Sequence, residues 1–436
     1  MIFFLLPEIR YGIGLLEHVE EPACIVTSHK HEALGIIRDQ GYEVICLEEE
    51  GLAPVYQAPQ MLELELVRSK IMQLPFSERK ILTFKISPRL EVLARSLQAT
   101  ILMPPSELNR FWENKDKGMA ELTAIGVPTK PSVSAAFGSL SYQSLAKDWQ
   151  YTKLVVQKPR GMAGSSTYFV ASEQEWSDLE PILHNTLVKV TPYLEGKTFT
   201  VNCLLNDTGV YHSYPMFQIT GDRRFTRYPG GTCGVDMTGG RSFSNEFLQE
   251  LTQIVHKIGT ALKKTNFWGW FGLDLIVTNT DEIIIIEINP RFTASLSIFS
   301  QYQSIMFSAS FWSGYIDRKQ HLPNVVKPLP LTTLILRNTA EETKVVENDL
   351  LCGLYENPNN QLHLNSSTIF IADLCSLPSK FPQYLVVSKA KGTAINMDGE
   401  YATIVTPRSA IDQNGNVDAE LAKVADLVSM GLFKKQ

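Results

Sequence analysis

Along the first hundred positions apolar residues fall in short runs separated by amphipathic stretches. Ile2 to Leu6, Cys24 to Thr27 and Val44 to Leu47 read as strands, with a helical span from His31 to Gln40 before the third. The rhythm continues with a helical stretch from Pro59 to Leu74, a strand from Ile81 to Ser87, a helix from Pro88 to Leu97 and an apolar run ending at Met103. Strands alternating with helices predict a small parallel-sheet domain. Its loops contain no GxGxxG, so nothing there supports a dinucleotide site.

Pro104 and Pro105 mark a boundary, after which the pattern predicts a helix capped by Ser106 and a second helix ending near Gly126. Four strand-like runs follow, at Lys153–Pro159, Ser165–Ala171, Leu187–Gly196 and Lys197–Asn206. Gly221 to Gly240 carries six glycines and three arginines in twenty residues and reads as a long irregular loop. A helix from about Asn245 to Lys264 precedes strands at Phe271–Thr278 and Glu282–Pro290. Beyond Pro328 to Pro330, strands are expected at Thr332–Asn338, Ser367–Leu374, Gln383–Ala390 and Tyr401–Pro407, with a terminal helix from Ala419 to Met430. Asp398-Gly399 reads as the bend of a hairpin. The expected domains are 1–105, 106–325 with a lid subdomain at about 128–195, and 326–436.

Composition narrows the function classes. The 436 residues, 44% hydrophobic and 20% charged, describe an ordinary multidomain globular chain. Forty basic against forty-six acidic side chains leave a net charge of -6, which gives no global attraction to nucleic acid or an anionic membrane. Cys24, Cys46, Cys203, Cys233, Cys352 and Cys375 are scattered and form no CxxC, so buried free thiols in a reducing compartment are expected. The opening MIFFLL is too short to span a bilayer and lacks a basic flank, which adds to a cytoplasmic expectation.

The sharpest chemical signal is an all-apolar strand ending in Glu287 and Asn289, two residues apart and so on one face. Asp274 lies on the preceding strand, and the TNTDE turn between them can bring it alongside. Three hard oxygen donors converging this way suit Mg²⁺, although the two strand-end residues could equally face water. Lys158, at a strand end before a glycine-containing turn, could offer charge to phosphates or be a solvated lysine. Lys115 follows Asn114 at a helix start, and Arg291 lies just beyond Asn289. Arg223, Arg224 and Arg227 are candidates for holding a substrate carboxylate, with Arg241 beside them, or are solvated loop residues. There is no GxxxxGK(S/T), GxSxG or HExxH, and no histidine set suited to a metal.

Four segments, NKDKGMAELTAIGVPT, VVQKPRGMAGSSTYFV, VTPYLEGKTFTVNCLL and FGLDLIVTNTDEIIIIEINPRFTAS, together resemble the ATP-grasp superfamily in kind and order. The resemblance covers roughly Ser106 to Ser300. It implies an α/β and α+β multidomain protein with the ATP-grasp fold, two α+β lobes holding ATP between them, preceded by a small parallel-sheet domain and followed by a small C-terminal α+β domain. It further implies that Lys115 and Lys158 bind ATP phosphates, that Gly161, Gly164, Ser165 and Ser166 form a lid loop, and that Tyr193 and Leu194 form the adenine hinge. Asp274, Glu287 and Asn289 would hold Mg²⁺, with Mn²⁺ as a substitute. Arg291, Lys158 and Arg241 are the candidate catalytic residues. Thr191 and Thr198 stand where the family commonly has glutamates, leaving Glu195 as a substitute.

The activity so implied is ligation. A carboxylate is activated as an acyl phosphate and joined to an amine or peptide, with release of ADP and phosphate. The C-terminal segment is loosely similar to that of pheganomycin-type peptide ligases. Alternatives are a carboxylase-like or other acyl-phosphate enzyme, or a nucleotide-binding regulatory module without catalysis. Small-molecule acids and amines are the expected partners, with no nucleic acid or membrane and with a homodimer as the candidate assembly.

Overall fold

The computed structural model of the chain describes residues 1–16, 19, 21–158, 164, 166–237, 239, 242–295, 315–322, 330–376 and 380–433. Its first unit is a five-stranded sheet in which Ile2–Leu5 lies between Ala23–Thr27 and Lys80–Thr83, with Glu43–Cys46 and Thr100–Ile101 outermost. All pairings are parallel. Residues of the central strand are buried throughout, as the apolar run requires when helices cover both faces. The strand expected to reach Ser87 stops at Thr83, because Ser87 caps the next helix, Pro88–Ser96, by accepting from the Leu90 N–H. Ser106, expected to cap the helix Ser106–Trp112, is instead its first residue. Its N–H and hydroxyl both donate to the Glu91 carboxylate.

A four-stranded antiparallel sheet follows in the order Val133–Ala136, Leu187–Pro192, Leu154–Gln157, Thr167–Val170. Helices Tyr142–Trp149 and Glu173–Leu183 pack on it through Tyr142, Leu145, Trp176 and Leu183, with Phe137 of the short turn Phe137–Ser139 between them.

The third unit is an 11-stranded sheet. Ile283–Asn289 lies at one edge, followed by Gly269–Thr278, Gly196–Leu205, Met216–Thr220 and Thr232–Asp236, and then by the C-terminal strands beginning with Thr332–Arg337. Two expectations change here. The segment Gly221–Gly240 contributes a central strand, Thr232–Asp236, paired on both sides, so it is not a single loop. The C-terminal strands extend this sheet, Thr332–Arg337 pairing with Thr232–Asp236 and with Glu400–Thr406.

Two smaller corrections lie in the C-terminal segment. The apolar run Ser367–Leu374 predicts a strand, but Ile371–Ser376 is a helix, introduced by Thr368, which bonds the Asp373 carboxylate and accepts from the Phe370 N–H. At Asp398 the chain does bend, with φ 57°, but Ala394–Ile395 pairs with Lys344–Val345, so the two arms of the bend belong to different sheets.

The main core lies under helix Asn245–Lys264, which buries Phe247, Leu251, Ile254, Val255, Ile258 and Leu262 against the large sheet. Its apolar stripe at helical spacing makes this the element most plainly written in the sequence. Cys24, Cys46, Cys203, Cys233 and Cys352 are free and buried, and the Cys375 side chain lies outside the described set. Among the described residues no helix is long and apolar enough to cross a membrane.

Candidate active site

The parallel-sheet unit, the four-stranded sheet and the 11-stranded sheet all contribute to one cleft of about 900 Å³. Its floor is the edge of the large sheet. Gly269–Thr278 and Ile283–Asn289 pair so that Asp274 lies directly opposite Glu287, with Gly272 opposite Asn289, as the TNTDE turn predicted. The turn closes through the Thr278 N–H donating to the Glu282 carbonyl at 3.0 Å. One residue bulges out between the Asp274 and Leu275 pairings, a device that re-aims side chains beside sites.

The two carboxylates face each other from half-buried positions on the cleft floor. Burial first, and Glu287 second, push the Asp274 carboxyl up to about 6. Gln218 Nε2 donates to Asp274 Oδ1 at 2.7 Å and Asn289 Nδ2 to Asp274 Oδ2 at 3.1 Å, while Thr200 adds a further bond. The Asn289 amide oxygen accepts from Arg291 Nη2 at 3.0 Å. Among the described residues no three His, Cys, Asp or Glu side chains gather as a metal set. Two opposed carboxylates nonetheless fit a Mg²⁺ ion, which takes one or two protein carboxylates and completes its octahedron with water and phosphate oxygens.

Arg291 is anchored to the parallel-sheet unit. Its Nε donates to Glu113 Oε1 at 3.0 Å, Glu113 also pairs with Lys85 at 2.6 Å, and the guanidinium lies 5.3 Å from the Phe84 ring centroid. Lys115 lines the cleft just before helix Lys117–Ala124, whose first N–H groups at Asp116 and Lys117 donate to Asn114 Oδ1. The GVPT segment docks on the floor through the Ile285 N–H and the Pro128 carbonyl.

The antiparallel sheet forms the roof, and strand parity decides which side chains enter. Val155 and Gln157 line the cleft, as do their register neighbours Phe169, Thr167, Thr191 and Lys189. Lys158 is one residue out of phase. It is not among the lining residues, and its ammonium sits 5.8 Å from the ring centroid of Tyr168, another residue that does not line the cleft. Lys189 was not foreseen, although LVKVTP alternates apolar and polar positions and puts Lys189 and Thr191 on one face. It is 7% exposed, and its ammonium donates to the Lys115 carbonyl at 2.9 Å. Lys130, also unforeseen, donates to the Pro192 carbonyl at 3.3 Å. Burial lowers both ammonium groups to about 8, each helped by a neighbouring lysine.

Val155, Phe169, Tyr193, Leu194, Ile276 and Ile285 make an apolar slot at the hinge. The Tyr193 N–H is taken by the Lys153 carbonyl. Glu195 is exposed and does not line the cleft, whereas Thr191 and Thr198 do. Of the lid residues, Gly164 and Ser166 line the cleft. Gly164 has φ +77° and sits so close to Gly230 that a Cβ would lie 2.1 Å from its carbonyl oxygen. Gly161, Ser165 and Arg241 lie outside the described residues.

The three loop arginines do not reach the cleft. Arg224 is held by Asp222 at 2.6 Å and by the Val417 carbonyl, Arg227 pairs with Glu341 at 3.1 Å, and Arg223 bonds the Arg227 carbonyl. Asp222 and the Arg227 carbonyl within the segment, and Glu341 and the Val417 carbonyl from the C-terminal part of the chain, capture them where the segment turns into its strand. Arg10 and Arg337 line the cleft instead, and both grip Glu400, at 2.7 Å and 3.0 Å. These two come from the parallel-sheet unit and from a C-terminal strand, so no local motif announces them.

Comparison with known proteins agrees with this architecture. Residues 113–295 match the family model of an ATP-grasp domain. Among solved structures, phosphoribosylamine–glycine ligase from Thermotoga maritima is similar with a TM-score of 0.61 at 13% identity, over 98% of this chain and 96% of that one. N5-carboxyaminoimidazole synthase from Aspergillus clavatus, in complex with ADP and 5-aminoimidazole ribonucleotide, gives 0.59 at 12% over 99% and 98%. The dimeric biotin carboxylase domain of 2-oxoglutarate carboxylase from Hydrogenobacter thermophilus, with MgADP, ADP and bicarbonate, gives 0.60 at 12% over 93% and 86%. Such identities speak to the fold. No curated protein matches the chain.

Proposed function

We propose that this chain, whose residues 113–295 are an ATP-grasp domain, is an ATP- and Mg²⁺-dependent ligase that activates a carboxylate as an acyl phosphate and joins it to an amine, releasing ADP and phosphate. The observation that carries the reading is the register of Asp274 against Glu287 in a cleft that also holds Lys115, Lys189 and Lys130. Opposed carboxylates, one of them raised by burial and by its neighbour's charge, in a cleft that also holds ammonium groups, suit a magnesium-bound polyphosphate. Asp274 and Glu287 would hold the ion, with Asn289 beside them. When bound, Mg²⁺ neutralises phosphate charge and orients the transferred group. The apolar hinge slot at Tyr193 and Leu194 takes the adenine, and Gly164 and Ser166 border the phosphates. Arg291, held by Glu113 and Asn289, is aimed at the phosphoryl group as it moves to the acid.

Arg10 and Arg337 are the proposed acid-holding residues in place of Arg223, Arg224 and Arg227. That corner already binds one carboxylate, Glu400, between two guanidinium groups. Two variants should therefore move in opposite directions. Arg10→Met is expected to raise the KM for the acid about tenfold, and Glu400→Gln to lower it, with the KM for ATP steady in both. An acid KM unchanged in both would move the pocket elsewhere.

A peptide or amino-acid amide is the proposed product, on the strength of the sequence resemblance alone. The proposed domain division remains 1–105, 106–325 and 326–436, in a cytoplasmic homodimer. Bicarbonate as the acid is a second reading, favoured because one similar structure holds that anion. ADP release from MgATP over pools of acids and amines, with and without bicarbonate, tests both. Silence across broad pools despite nucleotide binding would favour a regulatory module.

Charge also sets a pH dependence. Lys189 faces Lys115, Asp116 and Glu287, and Lys130 faces Lys189. Both ammonium groups are lowered to about 8, so they are charged below that pH and lose charge above it. Affinity for ADP should weaken as pH rises through about 8, with proton uptake on binding near that pH, seen by calorimetry in buffers of different ionisation enthalpy. A flat affinity from neutrality to well above this range would exclude these lysines from the phosphate site.

A further inference from the structure

We infer that the ammonium group gripping the nucleotide phosphates from the roof of the cleft is Lys189, the register partner of Gln157, and that Lys158 serves only the outer packing of its strand. The inference rests on the nucleotide reading above and deepens it.

The argument begins with pairing. Gln157 and Lys189 are directly opposite in antiparallel strands, so their side chains leave the sheet on the same face. That face lines the cleft, since Val155, Gln157, Thr167, Phe169, Lys189 and Thr191 all border it. A lysine at position 157 or at position 189 would thus deliver its charge into the same space, and this chain has placed glutamine at the first and lysine at the second. Lys158, by the alternation of strands, leaves from the other side, where its ammonium meets the Tyr168 ring.

Surroundings strengthen the assignment. The Lys189 ammonium is fixed against the Lys115 carbonyl at 2.9 Å, so it stands beside the other lysine of the phosphate end and on the same side as Glu287, whose charge it feels. Three hydrogens on that nitrogen and one carbonyl partner leave donors for a ligand. A nearly buried ammonium among other lysines, with no carboxylate among the described residues hydrogen-bonded to it, is a poor structural device, because burial and the Lys115 charge outweigh the pull of Asp116 and Glu287. It makes sense where a polyanion completes the site. The ligand class is a nucleoside di- or triphosphate, held through its phosphate oxygens.

The test compares Lys189→Met, Lys158→Met and the exchange variant Gln157→Lys with Lys189→Gln, using calorimetric affinities for Mg²⁺-bound ADP and for AMP. Loss of a charge-assisted bond to phosphate is expected to weaken ADP binding about tenfold to a hundredfold in Lys189→Met, with AMP much less affected. Lys158→Met should stay within about threefold of wild type, and the exchange variant should recover most of the lost affinity. Comparable losses for ADP and AMP in Lys189→Met would indicate a structural role and overturn the inference. So would a larger loss in Lys158→Met. If the exchange variant does not fold, the ratio between the two single variants decides. Should wild type bind no adenine nucleotide at all, the ligase reading itself fails. If it binds ADP but the lysine pattern is reversed, only this inference does.

Discussion

Glu287→Gln is expected to reduce ATP turnover at least about a hundredfold while leaving the protein folded and, without metal, more stable than wild type. The substitution keeps the size and one oxygen of the side chain but removes the charge opposite Asp274. Loss of function follows because a divalent ion would then meet a single carboxylate, already bonded by Gln218 and Asn289.

Gain of stability has a separate origin. The Asp274 carboxyl is pushed up to about 6, by burial first and by Glu287 next. A carboxyl raised above its unfolded value favours folding fully only below that unfolded value, and the advantage is lost as pH rises through the folded value. Above about pH 6, then, the buried Asp274 carboxyl is forced to ionise opposite Glu287, and removing the Glu287 charge relieves it. The melting temperature should rise in the variant above that pH and converge with wild type well below it. Full turnover in Glu287→Gln would remove this residue from the mechanism, and a lower melting temperature at neutral pH would contradict the crowding of the two carboxylates.

How far the site could be read in advance depended on locality. Asp274, Glu287 and Asn289 were legible because one hairpin carries them, and a turn of five residues fixes their register. Helix Asn245–Lys264 was legible for the same reason, a periodic stripe complete within one element. The roof was harder. A lysine at a strand end is placed by whichever parity the strand adopts, and KLVVQKP does not announce whether Gln157 or Lys158 faces inward. Only the pairing with Leu187–Pro192 settles it. Arg10, Arg337 and Glu400 were invisible for a deeper reason. Arg10 is 390 residues from Glu400 and Arg337 is 63 residues from it, so their meeting is a property of the assembled sheets rather than of any segment. The arginines of the Gly221–Gly240 segment misled because their partners are not all in the segment: Asp222 and the Arg227 carbonyl are neighbours, but Glu341 and the Val417 carbonyl come from distant parts of the chain.

The same segment supplies the second large effect. Gly234→Ala is expected to destabilise the protein by about 3 kcal/mol. Gly234 lies in the strand Thr232–Asp236, opposite Leu334, and a Cβ there would sit 1.9 Å from the Thr333 carbonyl oxygen. No side-chain rotation removes a Cβ, so the strands must part. This pairing is where the C-terminal strands join the rest of the large sheet, so parting it loosens everything from Thr332 onward, Arg337 and Glu400 included. Six glycines in twenty residues read as a long irregular loop, but here glycine is what lets two backbones approach within a sheet. Gly35→Ala provides the contrast. It lies in helix Ala33–Asp39 with nothing within 4 Å of its Cβ position, and the same substitution there should stabilise by roughly 0.5–1 kcal/mol. Denaturant unfolding and limited proteolysis of the C-terminal strands would measure both. If Gly234→Ala unfolds with wild type and resists protease equally, the strands have room for a methyl group and the close approach is not what joins them.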